Sequence, residues 1–167
     1  MVKKIGEKGG EKMEKVILDA CCGSRKFWFD KDNPFTEFMD IRYEECVLSD
    51  GQLCIVHPNT IGDFTNMPFN DDSFRLVVFD PPHLVKAGIS SNMCKIYGRL
   101  ENNWREVLKK GFEECFRVLQ DYGVLIFKWS EIDIKLMTIL HLVDIKPLFG
   151  HRRGKTIWIC FMKFPTN

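Results

Sequence analysis

The sequence predicts a doubly wound α/β domain, a mostly parallel sheet closed by an antiparallel C-terminal hairpin strand. Three observations predict it. Runs at 16–20, 75–79 and 124–129 are apolar but for one residue each (Asp19, Arg75 and Lys128), as in parallel strands covered on both faces. Helical and turn-rich stretches alternate with these runs. Acids follow successive strands at Asp40, Asp63 and Asp80, at the carboxyl ends where such sheets bind ligands.

Taken in order, residues 1–14 are polar and hold Gly6, Gly9 and Gly10, which reads as a loose arm before a single domain over 15–167. Residues 16–20 are the first strand. A short helix is expected over 25–31, stopped by Asn33-Pro34. Residues 35–39 form a second strand ending at Asp40. Within 47–53 two short strands flank Asp50-Gly51, where a doubly wound fold would normally carry a helix. Residues 59–62 make a short third strand and 75–79 the fourth. The stretch 84–101 is too long for a plain connection and reads as a mobile or substrate-facing loop.

The clearest helix covers 103–119. Trp104, Leu108, Phe112, Cys115 and Leu119 share one face, and Asn103 with Glu106 makes an N-terminal cap. Residues 124–129 are the fifth strand, and Ser130 caps a helix over 131–142. Strands at 143–149 and 156–163 are joined by the basic turn 150–155.

Composition narrows the function. The 167 residues suffice for one domain with a sizeable core, and 45% are apolar. Net charge is +1, so any nucleic-acid-binding surface must be local. No apolar run is long enough for a membrane span and no signal-peptide core follows the lysine-rich start, so a cytoplasmic protein without membrane contact is expected. Seven cysteines with no CxxC pair point to buried thiols, with neither zinc nor a disulfide framework.

The sharpest signal is Asp80-Pro81-Pro82-His83 directly after Leu76-Val77-Val78-Phe79. Two prolines fix their own φ angles and offer no N–H, so the turn is stiff. It holds one carboxylate and one free carbonyl at a strand end, two acceptors suited to gripping an amine by its hydrogens. Upstream, Val16-Ile17-Leu18-Asp19-Ala20-Cys21-Cys22-Gly23 runs from a strand into a small-residue turn through which a backbone can approach a ligand.

Together these segments resemble the cofactor loop and amine-binding tetrapeptide of class I S-adenosylmethionine (SAM)-dependent amino-methyltransferases of nucleic-acid bases, in a compact bacterial or phage form. The resemblance spans about 16–163 and implies a Rossmann-like sheet and SAM as cofactor. It implies that Asp19, Ala20, Cys21 and Gly23 lie against SAM, that Asp40 takes its ribose hydroxyls, and that Asp63 and Phe64 meet its adenine. It makes Asp80, Pro81, Pro82 and His83 the catalytic segment, with His83 stacking on the target base where the family usually carries a larger ring. The loop departs from the family pattern at Cys21 and Arg25; Arg25 must point out of the pocket or meet the cofactor carboxylate. Trp129, at the same rim, belongs to the core or lines the base pocket.

The implied reaction is methyl transfer to an exocyclic base amine, first adenine N6 in DNA. The alternatives are the same chemistry on RNA and a non-catalytic SAM-binding subunit. Lys86, Lys95 and Arg99 on the long loop and Arg152, Arg153 and Lys155 on the hairpin turn are the candidate phosphate contacts, or else solvated charges. No added recognition domain is evident, so a second copy or a partner subunit is expected to share in target recognition.

Overall fold

The structure, a computed structural model, describes residues 14–165. The arm expected over 1–14 therefore lies, apart from Glu14, outside the described residues. The strands are β1 (Ile17–Asp19), β2 (Thr36–Asp40), β3 (Glu44–Val47), β4 (Leu53–Val56), β5 (Thr60–Ile61), β6 (Phe74–Phe79), β7 (Leu119–Ser130), β8 (Phe149–Arg153) and β9 (Thr156–Met162). The helices are α1 (Asn92–Tyr97), α2 (Trp104–Val118) and α3 (Leu136–Leu140).

Seven strands form one sheet in the order β5-β2-β1-β6-β7-β9-β8. All run parallel except β9, which is antiparallel to both neighbours. The chain winds outward in one direction from β1 to β5 and in the other from β6 to β8. The reversal falls between β1 and β6, and a reversal of this kind leaves a crevice at the carboxyl ends of the strands. The register sets Ile17 beside Leu76 and Val78 beside Ile126, so Ala20 and Asp80 emerge at that crevice together.

The core lies mainly on one side of the sheet. Alternate residues Leu18, Val77, Phe79, Leu125, Phe127, Trp129, Ile157, Ile159 and Phe161 join one cluster with Leu108, Phe112 and Cys115 of α2 and with Leu136 and Ile139 of α3. The side-chain period of a strand is two, so the residues between them point to the opposite face.

Several expected elements take another form. Residues 25–31 are turns rather than a helix: Arg25 has φ 53° and its guanidinium donates to the carbonyls of Lys31 (2.5 Å) and His57 (2.7 Å). The strands around Asp50-Gly51 extend outward into β3 and β4, with Cys46 opposite Cys54. The long loop contains α1, capped where Ser91 Oγ accepts from the Cys94 N–H at 3.2 Å. Asn103 stands at the N-cap of α2 but makes no side-chain capping bond.

The helix expected over 131–142 shrinks to α3. Asp133 is drawn to the Val85 and Lys86 amides, the Trp129 indole donates to the Ile134 carbonyl, and Glu131 rather than Ser130 accepts from the Leu136 amide. The strand expected at 143–149 is displaced to β8. Arg153 pairs with Thr156, so the turn is only Gly154-Lys155, with Gly154 at φ 62°. Arg152 and Arg153 thus belong to a strand, not to the turn.

Gly111 of α2 lies close against the site. A Cβ there would sit 2.7 Å from the rings of both Phe64 and Phe79. Gly111→Ala is expected to cost about 1–3 kcal/mol, the usual penalty of overpacking. A lower midpoint of urea unfolding with an unchanged slope is the expected result.

Candidate active site

The crevice opens into a cavity of about 440 Å³. Its floor is the turn Ala20-Cys21-Cys22-Gly23, one wall is Asp40-Ile41-Arg42 with Gly62 and Phe64, and the other is Asp80-Pro81-Pro82-His83 with Lys128. Ile96, Tyr97, Gly98 and Arg99 complete the lining from the long loop.

Gly23 turns the chain at φ 49°, a left-handed conformation that suits glycine. Its amide donates to Asp40 Oδ2 at 2.9 Å, which ties the floor to the end of β2. Asp40 is buried, and its Oδ1 also accepts from the Arg42 amide and the Arg42 Nε, both at 3.0 Å. Arg42 reaches on to the Lys95 carbonyl of α1 at 3.0 Å. The guanidinium therefore shares the carboxylate expected to be left for a ligand hydroxyl.

Asp19 does not line the cavity. It is completely buried, its Oδ2 accepts the Trp28 indole N–H at 2.7 Å, and its Oδ1 accepts from the Cys21 amide at 3.3 Å. Burial pushes its pKa up to about 7 against these two hydrogen bonds. Asp63 is absent from the lining too. It is exposed and folded onto its own chain, where Oδ1 accepts from both the amide and the hydroxyl of Thr65 at 2.8 Å. Its neighbours Gly62 and Phe64 do line the cavity, with Phe64 edge-on to Phe79 at 5.3 Å between centroids.

Asp80 closes the other wall. Its side chain is 13% exposed and Oδ2 accepts from Lys128 Nζ. Burial raises the Asp80 pKa, and the ammonium opposes that rise. Lys128 faces the rings of Phe27 (5.4 Å) and Trp158 (5.7 Å), which favour a cation. His83 is buried, 5.3 Å from Tyr97 between ring centroids, and its pKa falls to about 4 through burial first and the Lys128 charge second. It is a neutral imidazole at pH 7.

The long loop is anchored at its base and over its span. The buried Leu100 amide donates to the Leu84 carbonyl at 2.8 Å. Gly98, at φ 73°, brings its backbone so near Pro82 that a Cβ would lie 3.1 Å from the ring. The loop is thus seated on the tetrapeptide itself.

The structure separates the expected basic residues. Arg99 lines the cavity, donating to Ala87 O and Glu101, and its buried Nε has no partner. Lys86 is exposed, and Lys95 donates to Val47 O. Arg152 pairs with Glu131 at 2.7 Å, while Arg153 and Lys155 are exposed; none of these three reaches the cavity. Arg25 points away from the cavity, stacked 4.0 Å from the Phe38 ring centroid. Trp129 is core. Arg42, Lys26, Phe27, Tyr97 and Lys128 line the site without having been assigned to it. Lys128 had a legible signal: a single lysine in an apolar strand, between two residues of core parity.

No protein-family model matches the chain. Its fold is similar to a protein from Pyrococcus horikoshii OT3, with TM-score 0.58 and 14% identity over 88% of this chain and 81% of that one. It is also similar to a TehB-like SAM-dependent methyltransferase from Corynebacterium glutamicum (TM-score 0.53, 10% identity, 91% and 81% covered). A SAM-dependent methyltransferase from Methanosarcina mazei is a third (TM-score 0.52, 12% identity, 92% and 95% covered). At these identities the likeness is one of fold: a Rossmann-like, mostly parallel sheet with an antiparallel strand near its C-terminal edge.

The raised Asp19 pKa has a consequence for stability. The folded value, about 7, lies above the ordinary 3.8, so folding is favoured while the group is protonated. That contribution is complete below pH 3.8 and is lost as pH rises to 7. Asp19→Asn keeps an acceptor for Trp28 and removes the charge. It is expected to raise the melting temperature at pH 8 and to change it little at pH 4, in thermal melts at both pH values.

Proposed function

We propose that the chain is a SAM-dependent methyltransferase acting on an exocyclic amine of a nucleic-acid base, adenine N6 in DNA first. The observation that carries this reading is the stiff Asp80-Pro81 turn at the cavity wall, one carboxylate and one carbonyl at the end of β6. The fold of the similar methyltransferases supports the cofactor.

The residues present fit SAM. The floor at 20–23 is backbone and small side chains, Phe64 and Ile41 offer apolar faces, and Asp40 stands at the end of β2. Gly23 and Cys21 would lie against the cofactor, Asp40 would take ribose hydroxyls beside Arg42, and Phe64 would meet the adenine. Bound SAM supplies an electrophilic methyl group.

The chain's residues prepare the amine. An exocyclic base amine is a poor nucleophile because its lone pair is delocalised into the ring. Asp80 and the Pro81 carbonyl each accept one N–H, favouring a tetrahedral nitrogen aimed at the methyl. Burial raises the Asp80 pKa, and the bonded Lys128 ammonium opposes that rise and favours the carboxylate as acceptor. After transfer the nitrogen releases its extra proton to Asp80 or to water. Neutral His83 and Tyr97 provide ring faces for the base. Arg99, Lys86, Arg153 and Lys155 are the cations available for phosphates. In a duplex the base must flip out, at a cost of a few kcal/mol. A second copy or partner would share in selecting the site.

The deciding experiment incubates the protein with labelled SAM and mixed DNA and RNA oligomers and identifies the modified nucleoside by mass spectrometry. N6-methyladenine in DNA is expected. Label in RNA alone moves the same chemistry to RNA. SAM binding with no transfer to either overturns the reading in favour of a non-catalytic subunit.

Two substitutions separate the roles. Asp80→Ala is expected to lower the transfer rate by about 100-fold or more, with SAM affinity in calorimetry nearly intact. Asp40→Ala is expected to weaken SAM binding by about 1.5–3 kcal/mol, the loss of a charged acceptor, in the same measurement.

A further inference from the structure

Asp80 alone accepts any amine. The feature that narrows the choice is its companion. The Lys128 ammonium bonds to Asp80 Oδ2, lines the cavity and is 19% exposed. An ammonium carries three N–H donors. Among the described residues Asp80 is the one hydrogen-bond acceptor that Lys128 meets. Its other close neighbours are the rings of Phe27 and Trp158, which stabilise the charge through their faces. Free donors thus stand immediately beside the carboxylate, at the cavity wall.

We propose that Lys128 and Asp80 form a donor–acceptor pair that reads the edge of the target: a neutral amino group with an acceptor atom next to it. This rests on the reading of the site as one for a base amine. Adenine presents such an edge at its amine and either flanking ring nitrogen, and cytosine at its amine and N3. Asp80 accepts from the amine while Lys128 donates to the ring nitrogen. The same ammonium repels a protonated alkylamine or a guanidinium, so specificity comes from exclusion as well as from fit. A primary carboxamide offers the same pair of groups. The rings of His83, Tyr97 and Phe27 around the cavity favour the flat aromatic target.

The test removes the ring nitrogen and the lysine in turn. Single-stranded oligomers carry adenine, 1-deazaadenine, 7-deazaadenine, cytosine or 3-deazacytosine, and kcat/KM for methyl transfer is measured with wild type, Lys128→Met and Lys128→Gln. For wild type, one deaza change is expected to cost about 5- to 150-fold, the discrimination of one good paired contact. Lys128→Met should lose a similar factor on the intact base and show no further loss on that deaza base. Intrinsic amine reactivity is common to both enzymes and cancels in this comparison. Lys128→Gln keeps a donor without the charge and should retain part of the discrimination. Unchanged circular dichroism and SAM affinity identify folded variants.

Losses that multiply independently, or a Lys128→Met enzyme that still prefers the ring nitrogen, overturn the pair. A wild type indifferent to every deaza change does the same. A glutamine-containing peptide is the control arm. Transfer to its carboxamide and to no base, lost in Lys128→Met, overturns the base reading and keeps the pair. Transfer to neither class overturns the proposal.

Discussion

The site depends on an ion pair taken largely out of water at the ends of two adjacent parallel strands. Asp80 follows β6 and Lys128 lies near the end of β7, and the register that sets Phe79 beside Phe127 carries both side chains to the same face. Withdrawing a carboxylate from solvent is costly unless a charge and hydrogen bonds compensate. Here the compensation comes from a strand whose flanking residues, Phe127 and Trp129, are fully buried in the core. Lys128 is therefore held by packing. Burial first, and the same charge second, keep His83 neutral.

Much of this was legible in the sequence because β-strand physics is local. Largely apolar runs marked β1, β6 and β7, and Asp80-Pro81-Pro82 marked a rigid strand end. The four-and-three spacing from Trp104 fixed α2 to within a residue at each end. Several misplacements share a cause: a polar side chain captured by a partner the local pattern does not show, as Asp63 is by Thr65. Asp19 was assigned to the cavity, but Trp28 folds back onto it. Arg25, expected to leave the pocket or meet the cofactor carboxylate, takes the first course because His57, 32 positions on, supplies a carbonyl away from the cavity. Residues 131–135 carry a helical pattern, yet Asp133 answers to amides 47 and 48 residues earlier. Local periodicity carries no information about such partners.

The departures from a fully helical doubly wound fold also share a logic. Between β1 and β2 the connection is a series of turns, and between β2 and β5 it is the β3–β4 hairpin. Both are stabilised by links to the site: Phe27 packs edge-on to Trp158 at 5.3 Å, and the hairpin is bonded to α1 through Ser49 and Asn92. The first walls the cavity through Lys26 and Phe27, and the hairpin braces α1, whose Ile96 and Tyr97 line it. Ordinary packing preferences yield to local function at such places.

The bond from the Leu100 amide to the Leu84 carbonyl joins the two ends of a long excursion. The sheet meets that excursion through a closed neck, and chain-closure entropy rises only slowly with the length enclosed, by about 0.6 kcal/mol per doubling. Added length between these two leucines therefore burdens the scaffold little, while exchanges must keep the bonds to Asp133, Arg42 and the hairpin. Both act directly on what reaches Pro82 and the cavity mouth. The scaffold and the mouth of its cavity are in this sense separable: the stretch between the leucines can lengthen while the strands beneath keep the same order.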